Sequence, residues 1–145
     1  MYDPTKSAYW HEYGESYTFI DVAGKTIVDI GADNGSSAYW FLQQGAEKVI
    51  CFSNEPQEFF DPRVEWRGTW YGEYVPADVL KIDAEGAECM LTITMIRRYS
   101  EYYIAVHTFA CCYPILRDFL EDDGELVFTT PDRIEWMYAK RIKWI

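Results

Sequence analysis

Apolar runs alternate with amphipathic segments along most of the chain. Longer stretches with helical spacing predict three helices, at Ser36–Gln44, Ala87–Arg98 and Pro114–Glu121. Runs rich in β-branched and aromatic residues predict seven strands, at Ile27–Ile30, Val49–Phe52, Val64–Trp66, Val79–Ile82, Tyr103–His107, Leu126–Thr129 and Ile134–Ala139. Strands separated by helices indicate an α/β fold with a largely parallel sheet and helices on its faces.

The middle of the chain is poor in helical sequence. The second and third predicted strands are joined by SNEPQEFFDPR, and the third and fourth by RGTWYGEYVPAD, each shorter than a crossover helix normally needs. We therefore expect reduced helices around the third strand. Apolar sheet surface would then need cover, as would Trp66, Trp70, Tyr71 and Tyr74. A symmetric homodimer is the simplest cover, and we predict one.

A single domain, residues 1–145, is expected, because this length suits one core and no linker or repeat divides it. Residues 1–24 are crowded with aromatic side chains, and we interpret Lys6–Tyr13 as a helix. The sequence leaves open whether this N-terminal segment is a lid over a pocket, part of the core or a partner site.

The charge of the chain excludes one large class of partner. The net charge is −11 at pH 7. Binding to nucleic acid depends on lysine and arginine side chains that neutralise phosphates, so we expect no nucleic-acid partner. The sequence has no apolar stretch of membrane-spanning length and no signal-peptide core, which predicts a soluble cytoplasmic protein without a membrane partner.

The four cysteines are Cys51, Cys89, Cys111 and Cys112. They form no CxxC pair and have no His-x-x-x-His partner, so no zinc site is expected. Cys51 and Cys89 lie in apolar patterns. We therefore expect buried free thiols in a reducing compartment rather than a disulfide framework.

The first predicted strand runs into a turn of small and acidic residues. Asp29 is followed by Gly31-Ala32-Asp33-Asn34-Gly35 and then by a helix. Glycines let the backbone approach a ligand, and the free N–H groups of the helix start suit a carboxylate. The spacing is not Gly-x-Gly-x-x-Gly, and Asp29 and Asp33 would repel phosphates. A nucleoside ligand with a cationic group therefore fits better than a dinucleotide.

Two acidic features follow at later strand ends. Glu55, after the second strand, can accept hydrogen bonds from both ribose hydroxyls. The segment LKIDAEGAE brings Asp83, Glu85 and Glu88 to the edge where open α/β sheets bind ligands. One carboxylate could act as a base and one could bind an amine or a metal. Glu85 and Glu88 could instead only begin the following helix.

Four motifs, VDIGADNGSS, FSNEP, LKIDAEGAE and WMYAKR, resemble those of FkbM-type S-adenosylmethionine-dependent methyltransferases. The family pattern is D-x-G-A-N-x-G, E-P and K-x-D-x-E-G-x-E; the resemblance covers residues 25–140, and Asp33 departs from it by replacing the usual Asn. It implies a Rossmann-like class I methyltransferase fold of about seven strands, with the last strand antiparallel. The implied cofactor is S-adenosylmethionine, and the implied reaction is methyl transfer to a hydroxyl of a sugar or other small molecule.

The resemblance also implies roles by position. Asp29, Gly31 and Gly35 would line the methionine part of the cofactor, Glu55 the ribose, and Asp83 with Glu85 the reaction side. The residues expected to bind the cofactor are Asp29, Gly31, Ala32, Asp33, Asn34, Gly35, Glu55 and Asp83.

Methyl transfer to oxygen also needs a group that takes the proton of the acceptor. His107 and Asp83 are the candidates, since both end strands at the same edge; with Glu85 they form the catalytic set. Mg²⁺ held by Asp83, Glu85 and Glu88 is an alternative, although we predict no metal site because a helix would turn Glu88 away. A cofactor-binding or protein-interaction module without transferase activity also stays open.

Overall fold

The computed structural model describes residues 2–142, and a seven-stranded sheet forms its centre. The strands are β1 (Thr26–Ile30), β2 (Lys48–Phe52), β3 (Val64–Trp66), β4 (Val79–Ile82), β5 (Glu101–His107), β6 (Glu125–Thr129) and β7 (Glu135–Lys140). The helices are α1 (Trp10–Ser16), α2 (Ser36–Gln43), α3 (Ile93–Ile96) and α4 (Tyr113–Asp123), with 3₁₀ turns at Pro4–Lys6 and Ala87–Met90. The seven predicted strands are confirmed. The two ends of the predicted 1–145 domain lie outside the described residues.

The sheet has the strand order β3-β2-β1-β4-β5-β7-β6. Strands β1 to β5 pair in parallel, and β7 runs antiparallel to both β5 and β6. Strand β1 lies near the middle of the sheet, β2 and β3 extend it on one side, and β4 to β7 form the other side. The expected mostly parallel sheet with an antiparallel last strand is therefore confirmed.

Hydrophobic cores lie on both faces of the sheet. Successive residues of a strand point to opposite faces. Ile27 of β1 accordingly packs in one core with Phe41 of α2, whereas Val28 packs in the other with Leu116 of α4. Because the central strands are buried on both faces, they read as continuous apolar runs, which made them easy to predict.

The two short crossovers are confirmed as helix-free, since residues 53–63 and 67–78 contain no helix. The second of them covers the sheet with its own side chains. Trp70 and Val75 are only 5% and 3% exposed and join the core below them, while Tyr71 is 80% exposed. A loop therefore supplies part of the cover that the sequence led us to expect from a second subunit, and the homodimer stays a prediction.

The predicted helix at Ala87–Arg98 is wrong as a single element. The chain forms the 3₁₀ turn Ala87–Met90, becomes extended at Leu91 and Thr92, and then forms α3. The hydroxyl of Thr92 accepts a hydrogen bond from the Met95 N–H and caps α3. Threonine favours this capping position over a helix interior, which explains the break.

Cys89 and Cys112 form a disulfide, with Cα atoms 5.4 Å apart. The prediction of free thiols is therefore wrong for this pair. Strands β4 and β5 are neighbours, so the 3₁₀ turn after β4 meets the start of α4 after β5, a proximity that the spacing of 23 residues does not reveal. Cys51 is free and buried as expected, and Cys111 is free and exposed.

The N-terminal segment is part of the core as well as a wall of the cavity described below. Tyr13 and Tyr17 are buried, and the hydroxyl of Tyr13 lies 2.8 Å from the hydroxyl of Ser36 at the start of α2. This contact fixes α1 against α2. In the part of the chain that the structure describes, no helix combines the length and the hydropathy needed to cross a membrane.

Candidate active site

A cavity of about 690 Å³ opens at the carboxyl edge of the sheet. This volume is typical of small-molecule sites. The predicted site residues that line it are Gly31, Asp33, Glu55, Asp83, Glu85 and His107. The N-terminal segment and strand β7 complete the wall, notably with Tyr9 just before α1, Glu12 of α1 and Glu135 of β7. Residues from distant parts of the sequence thus meet around one space.

The glycine turn is pinned between β2 and β4. The N–H groups of Gly31 and Ala32 both donate to the carbonyl oxygen of Phe52, at 2.9 and 3.2 Å. Gly31 has φ +89°, and a Cβ there would lie 2.1 Å from the carbonyl oxygen of Asp83. Only glycine fits this position, so the turn brings the backbone of β1 against the end of β4.

The rest of the turn is held by its own side chains. Asp33 has φ +55°, a left-handed conformation that Asp and Asn tolerate, which explains why Asp can replace Asn there. Asn34 donates to the carbonyl oxygen of Pro56 and lines a second, shallower depression. A Cβ on Gly35 would meet Phe59. Of these residues, Ala32, Asn34 and Gly35 are not among those that line the main cavity, and their cofactor contact stays a prediction.

A buried ion pair lies behind the turn. The Lys81 ammonium is 2.7 Å from the Asp29 carboxylate and donates to the carbonyl oxygen of Gly31 at 2.9 Å. Ser37 donates to the other oxygen of Asp29 at 2.5 Å. Burial would lower the pKa of Lys81, but the charges of Asp29 and Asp83 outweigh it and hold the pKa above its usual value. Asp29 therefore fixes the turn from behind, and its predicted contact with the cofactor stays a prediction.

Glu55 lies at the rim of the cavity. Its side chain is exposed, and its backbone N–H donates to the hydroxyl of Ser53 at 3.0 Å. The neighbouring Asn54 accepts a hydrogen bond from Thr69 at 2.8 Å. These bonds order the loop after β2, and Glu55 is among the residues that line the cavity.

His107 is held by Glu88 at the opposite end of the cavity. One oxygen of Glu88 accepts from the His107 backbone N–H at 3.1 Å and lies 2.7 Å from the Nδ1 of the ring. Glu88 is fully buried, on the 3₁₀ turn that the disulfide ties to α4. Burial would lower the pKa of His107, but the hydrogen bond and charge of Glu88 raise it above its usual value.

The far ring nitrogen of His107 faces two further carboxylates. Its Nε2 lies 3.7 Å from an oxygen of Asp83 and 3.7 Å from an oxygen of Glu135. Burial, together with Asp83 beside it, raises the pKa of Glu135 to about 9. The exposed Glu85 lines the same wall but is outside this group. We call Asp83, His107 and Glu135 the acceptor cluster.

The chain is similar to two proteins of Sulfolobus viruses. No protein-family model matches it. Protein 158B of Sulfolobus islandicus rod-shaped virus 1 is 36% identical, across 91% of this chain and 91% of its own. Protein 65 of the Sulfolobus islandicus filamentous virus (isolate Iceland/Hveragerdi) is 36% identical, across 68% of this chain and 70% of its own. This chain belongs to their family. Both viral proteins are described as uncharacterized.

The fold of this chain is that of class I methyltransferases. The ribosomal protein L11 methylase of Lactobacillus delbrueckii subsp. bulgaricus has a TM-score of 0.57 at 14% identity, covering 88% of this chain and 74% of that one. The magnesium protoporphyrin IX methyltransferase of Synechocystis, with bound SAM, has a TM-score of 0.55 at 14% identity, covering 84% and 72%. A candidate hemolysin from Lactococcus lactis has a TM-score of 0.63 at 12% identity, covering 92% and 88%. The expected fold class is confirmed, whereas FkbM membership stays a prediction.

The sequence did not reveal that Glu135 lies in the site or that Glu88 supports His107. Glu135 begins β7, far along the chain, and meets His107 only because the two residues are paired across the antiparallel β5 and β7. A polar residue at the start of an otherwise apolar strand was the one available signal. Glu88 was expected either to act at the ligand edge or to begin a helix; it lies on a 3₁₀ turn, and its carboxylate contacts His107 of β5.

Proposed function

We propose that this protein is an S-adenosylmethionine-dependent methyltransferase that acts on a hydroxyl group of a small molecule. One observation carries the proposal. Along the strand order β2-β1-β4-β5-β7, a single cavity runs from Glu55 and the glycine turn at one end to His107 and Glu135 at the other, with Asp83 of the acceptor cluster between them. The first end has the features of a nucleoside site, and the second has groups that can activate an acceptor. The fold shared with methyltransferases supports this pairing.

The cofactor end suits a cationic nucleoside. Gly31 presents backbone without a side chain, and Glu55 supplies a carboxylate for ribose hydroxyls. Asp33 and Asp83 add negative charge to the lining. S-adenosylmethionine carries a sulfonium and an ammonium group, which these carboxylates favour, while a phosphate-bearing cofactor would be repelled. The residues present therefore fit this cofactor.

The acceptor end is suited to binding and activating a hydroxyl. In methyl transfer, the acceptor oxygen attacks the methyl carbon in line, the bond from that carbon to sulfur breaks, and the acceptor proton leaves. We assign the activation of this oxygen to the acceptor cluster, with His107 as its central member. Glu88 acts as a positioning residue, because it fixes the tautomer and the orientation of the imidazole ring.

Calorimetric titration with S-adenosylmethionine and S-adenosylhomocysteine tests the cofactor site. We expect micromolar binding of both ligands to the wild type, and at least a tenfold loss of affinity in Glu55→Ala, since a charged hydrogen bond contributes about 1.5–3 kcal/mol. Glu47→Ala, which removes an exposed carboxylate just before β2 and outside the cavity, should bind as the wild type does.

An absence of heat with both ligands would contradict the cofactor assignment. It would favour a protein-interaction module on the same fold, for which the exposed Phe60 and Tyr71 of the helix-free crossovers are the candidate contact residues. Equal affinity losses in Glu55→Ala and Glu47→Ala would contradict the ribose role of Glu55. With binding established, hydroxylated small molecules are screened as acceptors of a labelled methyl group.

A further inference from the structure

The acceptor cluster has the geometry of a metal site. His107 Nε2 is 3.7 Å from both Asp83 Oδ1 and Glu135 Oε1, which is too long for a hydrogen bond. The three ligand atoms lie within 4.8 Å of one another. A cation between them would lie about 2 Å from each atom, the ligand distance of small divalent cations.

The surroundings of His107 supply a second, independent indication. A carboxylate oxygen of Glu88 lies 2.7 Å from Nδ1 of His107 and favours the tautomer with its proton on Nδ1. The lone pair of Nε2 then faces the carboxylates of Asp83 and Glu135. A buried carboxylate on the outer nitrogen of a histidine is the usual support of a metal-binding imidazole, because it fixes the tautomer and increases the basicity of the ligand nitrogen. Glu88 is itself excluded from the cluster, so it acts only through His107.

The third indication is a buried oxygen with no partner. Oε1 of Glu135 is shielded from solvent and has no hydrogen-bond partner within residues 2–142. A polar atom in this state is costly unless a ligand completes it. The Lys81 ammonium is not the partner of this oxygen, because it is bound to Asp29 and to the carbonyl oxygen of Gly31.

The ligand atoms come from rigid elements. Asp83 follows β4 directly, His107 ends β5, and Glu135 is paired with His107 across the two antiparallel strands. Their spacing is therefore set by the sheet and needs no folding around the ion. Three protein ligands also leave coordination positions open toward the cavity, as catalytic metal sites do.

We propose that Asp83, His107 and Glu135 bind one divalent cation at the acceptor end of the cavity. The cation coordinates the oxygen of the acceptor R–OH and lowers its pKa, so that the proton passes to solvent. The bound R–O⁻ then takes the methyl group, giving R–O–CH₃ and S-adenosylhomocysteine, with one proton released overall. His107 acts as a ligand in this state and not as a base. The catalytic part of this inference rests on the proposed function, whereas the binding of the cation does not.

Direct titration with Mn²⁺, followed by calorimetry and by electron paramagnetic resonance, tests the site in the full chain without S-adenosylmethionine. We expect one ion per chain and at least a tenfold weaker affinity in Glu135→Gln and Asp83→Asn. Glu88→Gln should weaken binding about tenfold to a hundredfold through His107. Glu47→Gln, which changes an exposed carboxylate outside the cavity, is the control and should keep wild-type affinity.

Each result bears on the proposal separately from the cofactor. No saturable Mn²⁺ binding by the wild type would overturn it, as would an equal loss of affinity in Glu47→Gln and Glu135→Gln. Thermal unfolding of each variant checks whether it is folded. Because two ligand variants are measured, the proposal is still tested if one of them fails to fold. Cation binding without cofactor binding would contradict the methyltransferase proposal but support the metal site. Methyl transfer that survives EDTA would overturn the catalytic role of the cation.

Discussion

Glu88 and His107 are joined twice, since one carboxylate oxygen of Glu88 contacts both the backbone N–H and the ring Nδ1 of His107. The contact links the turn after β4 to the end of β5, the two elements that present Asp83 and His107 to the cavity. The acceptor cluster is therefore oriented by a residue that does not itself enter the cavity.

Replacing His107 with alanine should separate catalysis from cofactor binding. The imidazole lies in the acceptor cluster, at the opposite end of the cavity from Glu55. We expect turnover to fall at least a hundredfold, because one activating group typically contributes that much. The affinity for S-adenosylmethionine, measured by calorimetry, should stay within a few-fold of the wild type. An unchanged rate would remove His107 from the mechanism.

Gly31→Ala should destabilise the fold far more than Gly86→Ala. Both glycines have φ +89°, so both variants carry the left-handed backbone penalty of about 1–2 kcal/mol. Only at Gly31 would the new Cβ meet a backbone atom, the Asp83 carbonyl oxygen at 2.1 Å. We expect an additional loss of about 1–3 kcal/mol in the free energy of unfolding, measured by urea denaturation. Equal losses in the two variants would show that the turn moves freely away from β4.

Reduction of the Cys89–Cys112 disulfide should lower stability. The bridge closes a loop with a sequence separation of 23 residues, which corresponds to about 3 kcal/mol in the chain-entropy treatment. We expect the variant with serine at both positions to unfold at a lower urea concentration, and to be insensitive to added reductant. Cys111→Ser removes the neighbouring exposed thiol and should behave as the wild type. A wild type that is equally stable with and without reductant would contradict the expectation.

Lys81→Met should be strongly destabilising although the two side chains are similar in length. The substitution leaves the fully buried Asp29 without its cation, and breaking a buried pair from one side typically costs about 3–5 kcal/mol. The double variant Lys81→Met with Asp29→Asn should recover part of the loss, as measured by chemical denaturation. If the double variant lost the sum of the two single effects, the pair would not be energetically coupled.

Stability should decline in alkali because of buried tyrosines. Burial raises the pKa of Tyr99 to about 12, and its hydroxyl donates to the carbonyl oxygen of Val75. The contribution is fully present below the unfolded pKa of about 10 and is lost as the pH rises toward the folded value, because only the unfolded state then releases the proton. Tyr99→Phe should reduce the slope of unfolding free energy between pH 10 and 12 by up to about 1.4 kcal/mol per pH unit. An unchanged slope would mean that Tyr99 titrates normally in the fold.

Local sequence patterns predicted most of the secondary structure, but not all of it. Helix α2 could be predicted because Gly35 and Gly45 stand at its two ends with positive φ angles. The predicted helix at Ala87–Arg98 failed because apolar spacing continues through Thr92, where the capping preference of that side chain stops one element and starts another.

The sequence by itself determined the strands, the glycine turn and the acidic edge of the sheet. These features are visible in local sequence: β1, β4 and β5 are short apolar runs, Gly31 and Gly35 mark the turn after β1, and the acidic residues follow the ends of strands. Only the tertiary structure decided that Glu88 supports His107, that Glu135 completes the acceptor cluster and that Cys89 meets Cys112. Those contacts join segments that are distant along the chain, and strand order and register, which no local pattern encodes, bring them together.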